Sequence, residues 1–260
     1  MPKEINRKVK PVFVFPFHDP TGRYLKTLFK NLGLLKEIFS KICISATPTA
    51  VKSSGPLLKI LEKGGCLILK NKEGTTLGDY FRGALKIYSA NRLRGPVYYG
   101  FIDRVLFDLE TKYKNSFIED VSKNYKEDLV IFSRSEKAWK SHPKDYFALE
   151  NMVTETGKVF INKEVDWTWC GAMFKPKIIK PILVKSKSLD FSVLTEFILI
   201  NHCLGGTLKS IEVDWLAWED PFWAKKDKTF NPAKKFNNKE KTFRLEYCIN
   251  CLKLFLDYFK

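Results

Sequence analysis

Apolar residues along this chain fall into short continuous runs, separated by longer stretches in which they recur every third or fourth position. VKPVFVFPF, residues 9–17, is rich in Val and Phe and gives way to the turn material HDPTGR. That pattern predicts a buried strand ending near His18 and Asp19. Thr21 then offers a cap for a helix in which Leu25, Leu28, Phe29, Leu32, Leu35, Phe39 and Ile42 share one face and Lys26, Lys30, Lys36 and Lys41 the other. CISAT (43–47) and CLILK (66–70) predict two more strands, and residues 53–62 and 76–90 two more helices.

PVYYGFID is apolar without alternation, as expected for a strand buried on both faces of a parallel sheet with helices on either side. The alternation therefore predicts an α/β protein with three layers. The run ends abruptly in Asp103-Arg104. Ligand crevices of open α/β sheets form outside the carboxyl ends of the strands, so position alone makes Asp103 a functional candidate. Mutual pairing of Asp103 and Arg104, or capping of the next turn, is the structural alternative.

The second half has a different texture. DLVIFSR (128–134), VDWTWCGAMF (165–174) and TLKSIEVDWLAWED (207–220) read as strands, and residues 189–206 as a helix stopped by Gly205-Gly206. Gly171 within the second of these runs marks a bulge or a close approach by another group. From Ala224 to Thr242 the residues turn to Lys, Asn and Asp, which predicts a loop, before helical periodicity returns through Leu245, Cys248, Leu252, Phe255 and Phe259. The corresponding division is a domain over residues 1–223, with residues 224–260 as a basic loop and a C-terminal helix packed on it.

Composition narrows the partners. The 260 residues are 45% apolar and include 21 Phe, enough for a sizeable core. A formal charge of +16, from 45 Lys plus Arg against 29 Asp plus Glu, favours anionic partners: phosphorylated metabolites, nucleic acid or an acidic membrane surface. Aromatic residues among the lysines of 223–241 suit nucleic acid by stacking, but no RNA-binding signature accompanies them, and nucleic acid is not the expected partner. The final helix, apolar on one side with Arg244, Lys253 and Lys260 elsewhere, suits peripheral contact with an anionic membrane or packing on the core. The charged N-terminus lacks a signal-peptide pattern and no apolar run reaches a bilayer span. A cytoplasmic protein, peripheral to the inner face of the membrane at most, is the expectation.

Six cysteines show one Cys248-x-x-Cys251 pair with no second pair or His beside it, so buried free thiols are expected rather than zinc. The sequence contains no P-loop, no dinucleotide fingerprint, no H-E-x-x-H and no G-x-S-x-G elbow. His18 reads as a phosphate or base contact or a surface turn residue, His142 as a loop residue, and His202 as a core histidine.

Taken in order, FPFHDPTGR after the first strand, Gly78-Asp79 and Arg82-Gly83 before the fourth, the acid in IDR, the WCGAMF strand and a helix carrying Glu196 before Gly-Gly resemble nucleotide-sugar-dependent glycosyltransferases of the GT-A fold, within the nucleotide-diphospho-sugar transferase superfamily. The resemblance covers about residues 9–222. It implies a three-layer α/β/α sandwich with a mixed, mostly parallel sheet, a nucleotide-diphosphate sugar as donor, and an acceptor of unspecified chemistry. In such enzymes an Asp-x-Asp after the fourth strand holds a divalent metal, Mg2+ or Mn2+. Here Asp103 matches the last position while Phe101 stands in the first, which leaves metal dependence open. By the same resemblance Phe15, Pro16, Phe17, His18 and Ser45 line the nucleoside pocket, Arg82 and Arg104 meet the diphosphate, Trp169 and Gly171 meet the sugar, and Glu196 is the general base. Asp214 and Glu219 are lesser acidic candidates. A nucleotidyltransferase acting on a sugar phosphate, or a non-catalytic anion- or nucleic-acid-binding protein, are the rival readings.

Overall fold

The computed structural model describes residues 9–232 and 237–260; the lysine-rich loop expectation falls partly on residues 233–236, outside that range, as does the extreme N-terminus. Seven strands form one sheet in the order β3-β2-β1-β4-β6-β5-β7. They are β1 (Val12–Phe17), β2 (Lys41–Ala46), β3 (Leu67–Lys70), β4 (Val97–Gly100), β5 (Leu129–Arg134), β6 (Gly171–Phe174) and β7 (Leu208–Val213). Every pairing is parallel except those of β6, which runs antiparallel to both β4 and β5. The mixed, mostly parallel sheet expected from the sequence is thus present.

Eleven helices are described: α1 (Leu25–Ile38), α2 (Pro48–Lys63), α3 (Leu77–Ala90), α4 (Ile102–Leu109), α5 (Lys114–Val121), α6 (Glu136–Ser141), α7 (Lys144–Ile161), α8 (Pro176–Lys185), α9 (Val193–Cys203), α10 (Asp220–Lys226) and α11 (Asn238–Tyr258). The sheet separates two apolar clusters. Side chains of β1 alternate between them: Phe13, Phe15 and Phe17 pack with Leu28, Leu35 and Leu58 on one face, while Val12 and Val14 join Phe81, Leu85 and residues of α9 and α11 on the other. Rings dominate both, with Phe13 stacked on Phe39 at 4.9 Å and Tyr99 edge-on to Trp169 at 5.6 Å.

Several boundaries differ from those expected. α1 stops at Ile38, because Ile42 belongs to β2, where it pairs with Phe13; the apolar spacing continued across a helix–strand junction by coincidence. The predicted strand 165–174 is a strand only over its last four residues, and the run 207–220 only over Leu208–Val213. α10 reaches Lys226 and α11 begins at Asn238, both inside the stretch expected to be a loop. α11 packs on α7 and α9. No helix among the described residues is long and apolar enough to cross a membrane.

Candidate functional site

β1 has β2 on one side and β4 on the other, so the topology switches direction between β1 and β4. A crevice opens at their carboxyl ends. One cavity, of about 140 Å3, is lined by Pro16 and His18 after β1, Thr47 after β2, Tyr80 and Phe81 from α3, and Phe101 and Asp103 after β4. Tyr24 and Phe191 complete it. A second, of about 250 Å3, adjoins it: Phe101, Asp103 and Phe191 line both. Asp103 therefore stands where the two meet.

The chain leaves β4 at Gly100 and turns directly into α4, so Asp103 occupies a first helical turn and not the strand end that the sequence led one to expect. A carboxylate is favoured there by the helix dipole, and its Oδ1 accepts the Arg104 backbone N–H at 3.1 Å. The Arg104 guanidinium points elsewhere. Buried beneath the second cavity, it ion-pairs with Glu219 at 2.5 Å and donates to the Ala217 carbonyl. One turn further along α4, Asp108 is wholly buried, and neither of its carboxylate oxygens has a hydrogen-bond partner among the described residues. Burial pushes its carboxyl well above the ordinary range.

The loop after β1 is held by Asp19, whose two oxygens accept the backbone N–H groups of Arg23 and Tyr24 at 2.9 and 3.0 Å. This fixes Tyr24 on the pocket wall, where burial, reinforced by the charge of Asp103, drives its phenol far above its usual pKa. His18 Nδ1 lies 3.1 Å from Thr47 Oγ1.

The opposite wall of the second cavity is ionic. Arg134, at the end of β5, donates Nε and Nη2 to the two oxygens of Asp166 at 2.7 and 2.8 Å and pairs with Glu150 at 2.6 Å. Glu150 also meets Arg244 of α11 at 2.5 Å. Burial works to raise the Glu150 carboxyl, but the two guanidiniums outweigh it and hold it below its ordinary value. His142 lies in the short loop between α6 and α7, as expected, but is buried: its Nδ1 donates to the Ala138 carbonyl at 2.9 Å and its Nε2 lies 3.5 Å from Arg104. Burial, with Arg104 and Arg134 beside it, lowers its pKa to about 2, so the ring is neutral.

Of the residues singled out from the sequence, Asp103, Pro16, His18, Arg104 and Trp169 line the two cavities. Trp169 does so at 0% exposure, its indole N–H donating to the Leu194 carbonyl at 3.0 Å, so it supports the cavity wall and offers no open face for stacking. Phe15 and Phe17 do not line the pocket: the strand's two-residue period turns them into the core behind it. Ser45 is covered by α3, its Oγ accepting from Asn71 at 2.9 Å, where a Cβ on Gly83 would come within 2.5 Å of it. Gly171 pairs with Gly100, and a Cβ on it would point at Tyr98 and Trp215, so it permits core packing rather than sugar approach.

Arg82 and Glu196 lie together, away from both cavities. Arg82 donates to Ser186 Oγ at 3.2 Å, to the Ser188 carbonyl at 2.7 Å and to Asp79 at 3.0 Å. Glu196, 2% exposed, accepts from Ser186 Oγ at 2.5 Å, the N–H groups of Lys187 and Ser188 at 2.8 and 3.1 Å, and Tyr258 at 3.3 Å. Both anchor the 186–192 loop that carries Phe191 into the cavity junction. His202, expected in the core, is exposed with its ring against Phe259. Cys248 and Cys251 are buried free thiols. Tyr24, Thr47, Tyr80, Phe191 and the Arg134–Asp166–Glu150 network had no motif to announce them.

No family model matches the sequence, and no curated protein sequence matches it. Among solved structures, glucosyl-3-phosphoglycerate synthase from Mycobacterium tuberculosis in complex with Mn2+, UDP and glucosyl-3-phosphoglycerate superimposes with a TM-score of 0.50 at 6% identity, covering 78% of this chain and 70% of that one. The same protein with Mn2+, UDP and phosphoglyceric acid gives 0.49 at 8% identity, over 78% and 68%. A 4-diphosphocytidyl-2C-methyl-D-erythritol synthase from Anaerococcus prevotii gives 0.45 at 14% identity, over 91% and 96%. The shared property is the architecture: this chain has a nucleotide-diphospho-sugar transferase-like fold.

Proposed function

We propose that the protein is a glycosyltransferase that takes a sugar from a nucleotide-diphosphate donor. The observation that carries this reading is the meeting of two cavities at Asp103, at the switch point of the sheet. The smaller cavity, at about 140 Å3, lies below the range of about 300 to 1,000 Å3 usual for a whole ligand. A donor would therefore span both, with its nucleoside against Pro16, His18 and Tyr80, its diphosphate at Asp103 and the N-terminus of α4, and its sugar beside Trp218 and Glu219.

Among the described residues no group of three or more His, Cys, Asp or Glu is placed to hold a metal ion. The donor set at the junction offers Asp103, which suits a Mg2+ or Mn2+ ion that takes its remaining ligands from phosphate and water. Such an ion would supply positive charge to the leaving diphosphate; the glucosyl-3-phosphoglycerate synthase structures, which contain Mn2+ and UDP, support that expectation. Arg104 and Arg82 contribute by holding walls, since their guanidiniums are engaged by Glu219 and by the 186–192 loop. Glu219, which lines the second cavity with Asp103, takes over from Glu196 as the candidate base. The C-terminal helix beyond residue 223 belongs to the same unit in this reading, because Arg244 and Tyr247 wall the sugar cavity.

Thermal stabilisation by UDP- and GDP-sugars, nucleoside triphosphates and oligonucleotides, each with and without Mn2+, tests the proposal. Stabilisation by a nucleotide-diphosphate sugar that disappears in Asp103→Asn is the expected result. Preference for a triphosphate favours nucleotidyl transfer, and indifference to Asp103→Asn rejects the site.

A further inference from the structure

A larger cavity, of about 870 Å3, is neither of those just described. It lies beyond them, between the carboxyl ends of β5 and β7 and the helices α6 and α7. Arg134 and His142 line both it and the sugar cavity, so the two share a wall. Its size, near the upper end of the usual ligand range, suits several linked rings rather than one.

The chemistry of its lining narrows the occupant. Its floor is a row of small hydrogen-bonding groups: Ser133 Oγ lies 2.7 Å from Ser210 Oγ and accepts the Asp166 backbone N–H at 3.1 Å. One side presents aromatic surface. Trp139 and Phe147 meet edge to face at 5.2 Å, with Phe147 43% exposed. The rim carries the carboxylates Glu136, Glu155, Glu164 and Glu212 against Lys140 and Lys144. Lys140 is engaged by Glu136 at 2.5 Å, and the Arg134 guanidinium is consumed by Asp166 and Glu150. On a chain of charge +16, this is a rim with an excess of negative groups. Lys158 pairs with Glu164 at 3.7 Å, and Lys144 is the one lining cation outside an ion pair among the described residues, so an anionic ligand would meet more carboxylate than cation, whereas hydroxyl groups would find acceptors and apolar ring faces an aromatic wall.

We propose that this cleft binds a neutral oligosaccharide, the acceptor onto which the sugar is transferred. The proposal rests on the glycosyl-transfer reading for its role as acceptor, but its binding chemistry stands separately. It places the acceptor in a different chemical class from the phosphoglycerate bound in the structurally similar synthase.

The test is calorimetric titration of the whole chain with neutral gluco-, manno-, xylo- and chito-oligosaccharides of three and four units, and with 3-phosphoglycerate, repeated on Phe147→Ala and Glu212→Gln. Both side chains are exposed, so neither substitution threatens folding. At least one neutral oligosaccharide should bind, with affinity about tenfold weaker in each variant, while the thermal shift given by nucleotide-diphosphate sugars stays unchanged. Absence of binding across the series, binding indifferent to both substitutions, or preference for phosphoglycerate would overturn it. Oligosaccharide binding without any nucleotide-sugar shift would retain the cleft and remove the donor reading; a nucleotide-sugar shift without oligosaccharide binding would do the reverse.

Discussion

The two sides of the crevice are built by different means. On the β1–β2 side, strand ends, a capped loop and neutral side chains such as Thr47 and Tyr80 form the wall, with Asp103 at its far edge. On the β5–β7 side the wall is a set of buried charges, Arg134, Asp166 and Glu150, paired with one another and with the half-buried Arg244. The neutral wall is a sum of small terms and should weaken by degrees. The ionic wall stands or fails as a unit, because removing one partner strands a charge in a dry interior.

The sharpest way to break this contrast is Asp166→Ala, which takes the bidentate partner from Arg134. A loss of about 3 to 5 kcal/mol is expected in urea titration. A loss comparable to that of a surface pair would erase the distinction. On the neutral side the most severe change is Gly78→Ala, since a Cβ there would come within 2.0 Å of the Ser188 carbonyl oxygen. About 1 to 3 kcal/mol should be lost, and the nucleotide-sugar thermal shift should shrink as Phe191 is displaced.

The ionic side should also be the pH-sensitive one. His142 has its folded pKa lowered to about 2 from 6.5, so above pH 6.5 the ring is neutral in both states and contributes no pH dependence. Below pH 6.5 the unfolded chain takes up a proton that the folded protein refuses, and stability falls by roughly 1.4 kcal/mol per pH unit. Unfolding free energies should stay flat from pH 7 to 6.5 and approach that slope toward pH 5, and His142→Gln should flatten it. The smallest effect belongs to Thr76, which caps α3 by accepting the Asp79 N–H at 3.1 Å. Thr76→Ala should cost about 1 kcal/mol and leave the nucleotide shift nearly intact.

The contrast also explains what could be read from the sequence. Elements whose burial is complete or one-sided declared themselves: the helix expected at 76–90 is α3, and VFVFPF is β1. The candidate site was legible where it followed a strand in the chain, as Asp103 and His18 do. It was not legible around β6. That strand runs backward, so residues 165–170, which precede it, arrive at the rim of the crevice although their apolar character reads as strand. Glu196 was a candidate by residue type and helix, but a carboxylate on an apolar helix looks the same in one dimension whether it faces a substrate or, as here, gathers the N–H groups of a neighbouring loop. The partners of Arg134 lie 16 and 32 positions away, a separation that no local spacing rule spans.

Asp108 gives the molecule an unusual reserve. A leucine at that position would serve durability better, because a buried carboxyl with both oxygens idle is a standing defect of about 1 to 3 kcal/mol in the packing under α4. Anyone hardening this scaffold for heat would be drawn to it first, yet it sits within the electrostatic reach of Arg104 and Asp103. Strength gained there would be taken from directly beneath the junction of the two cavities.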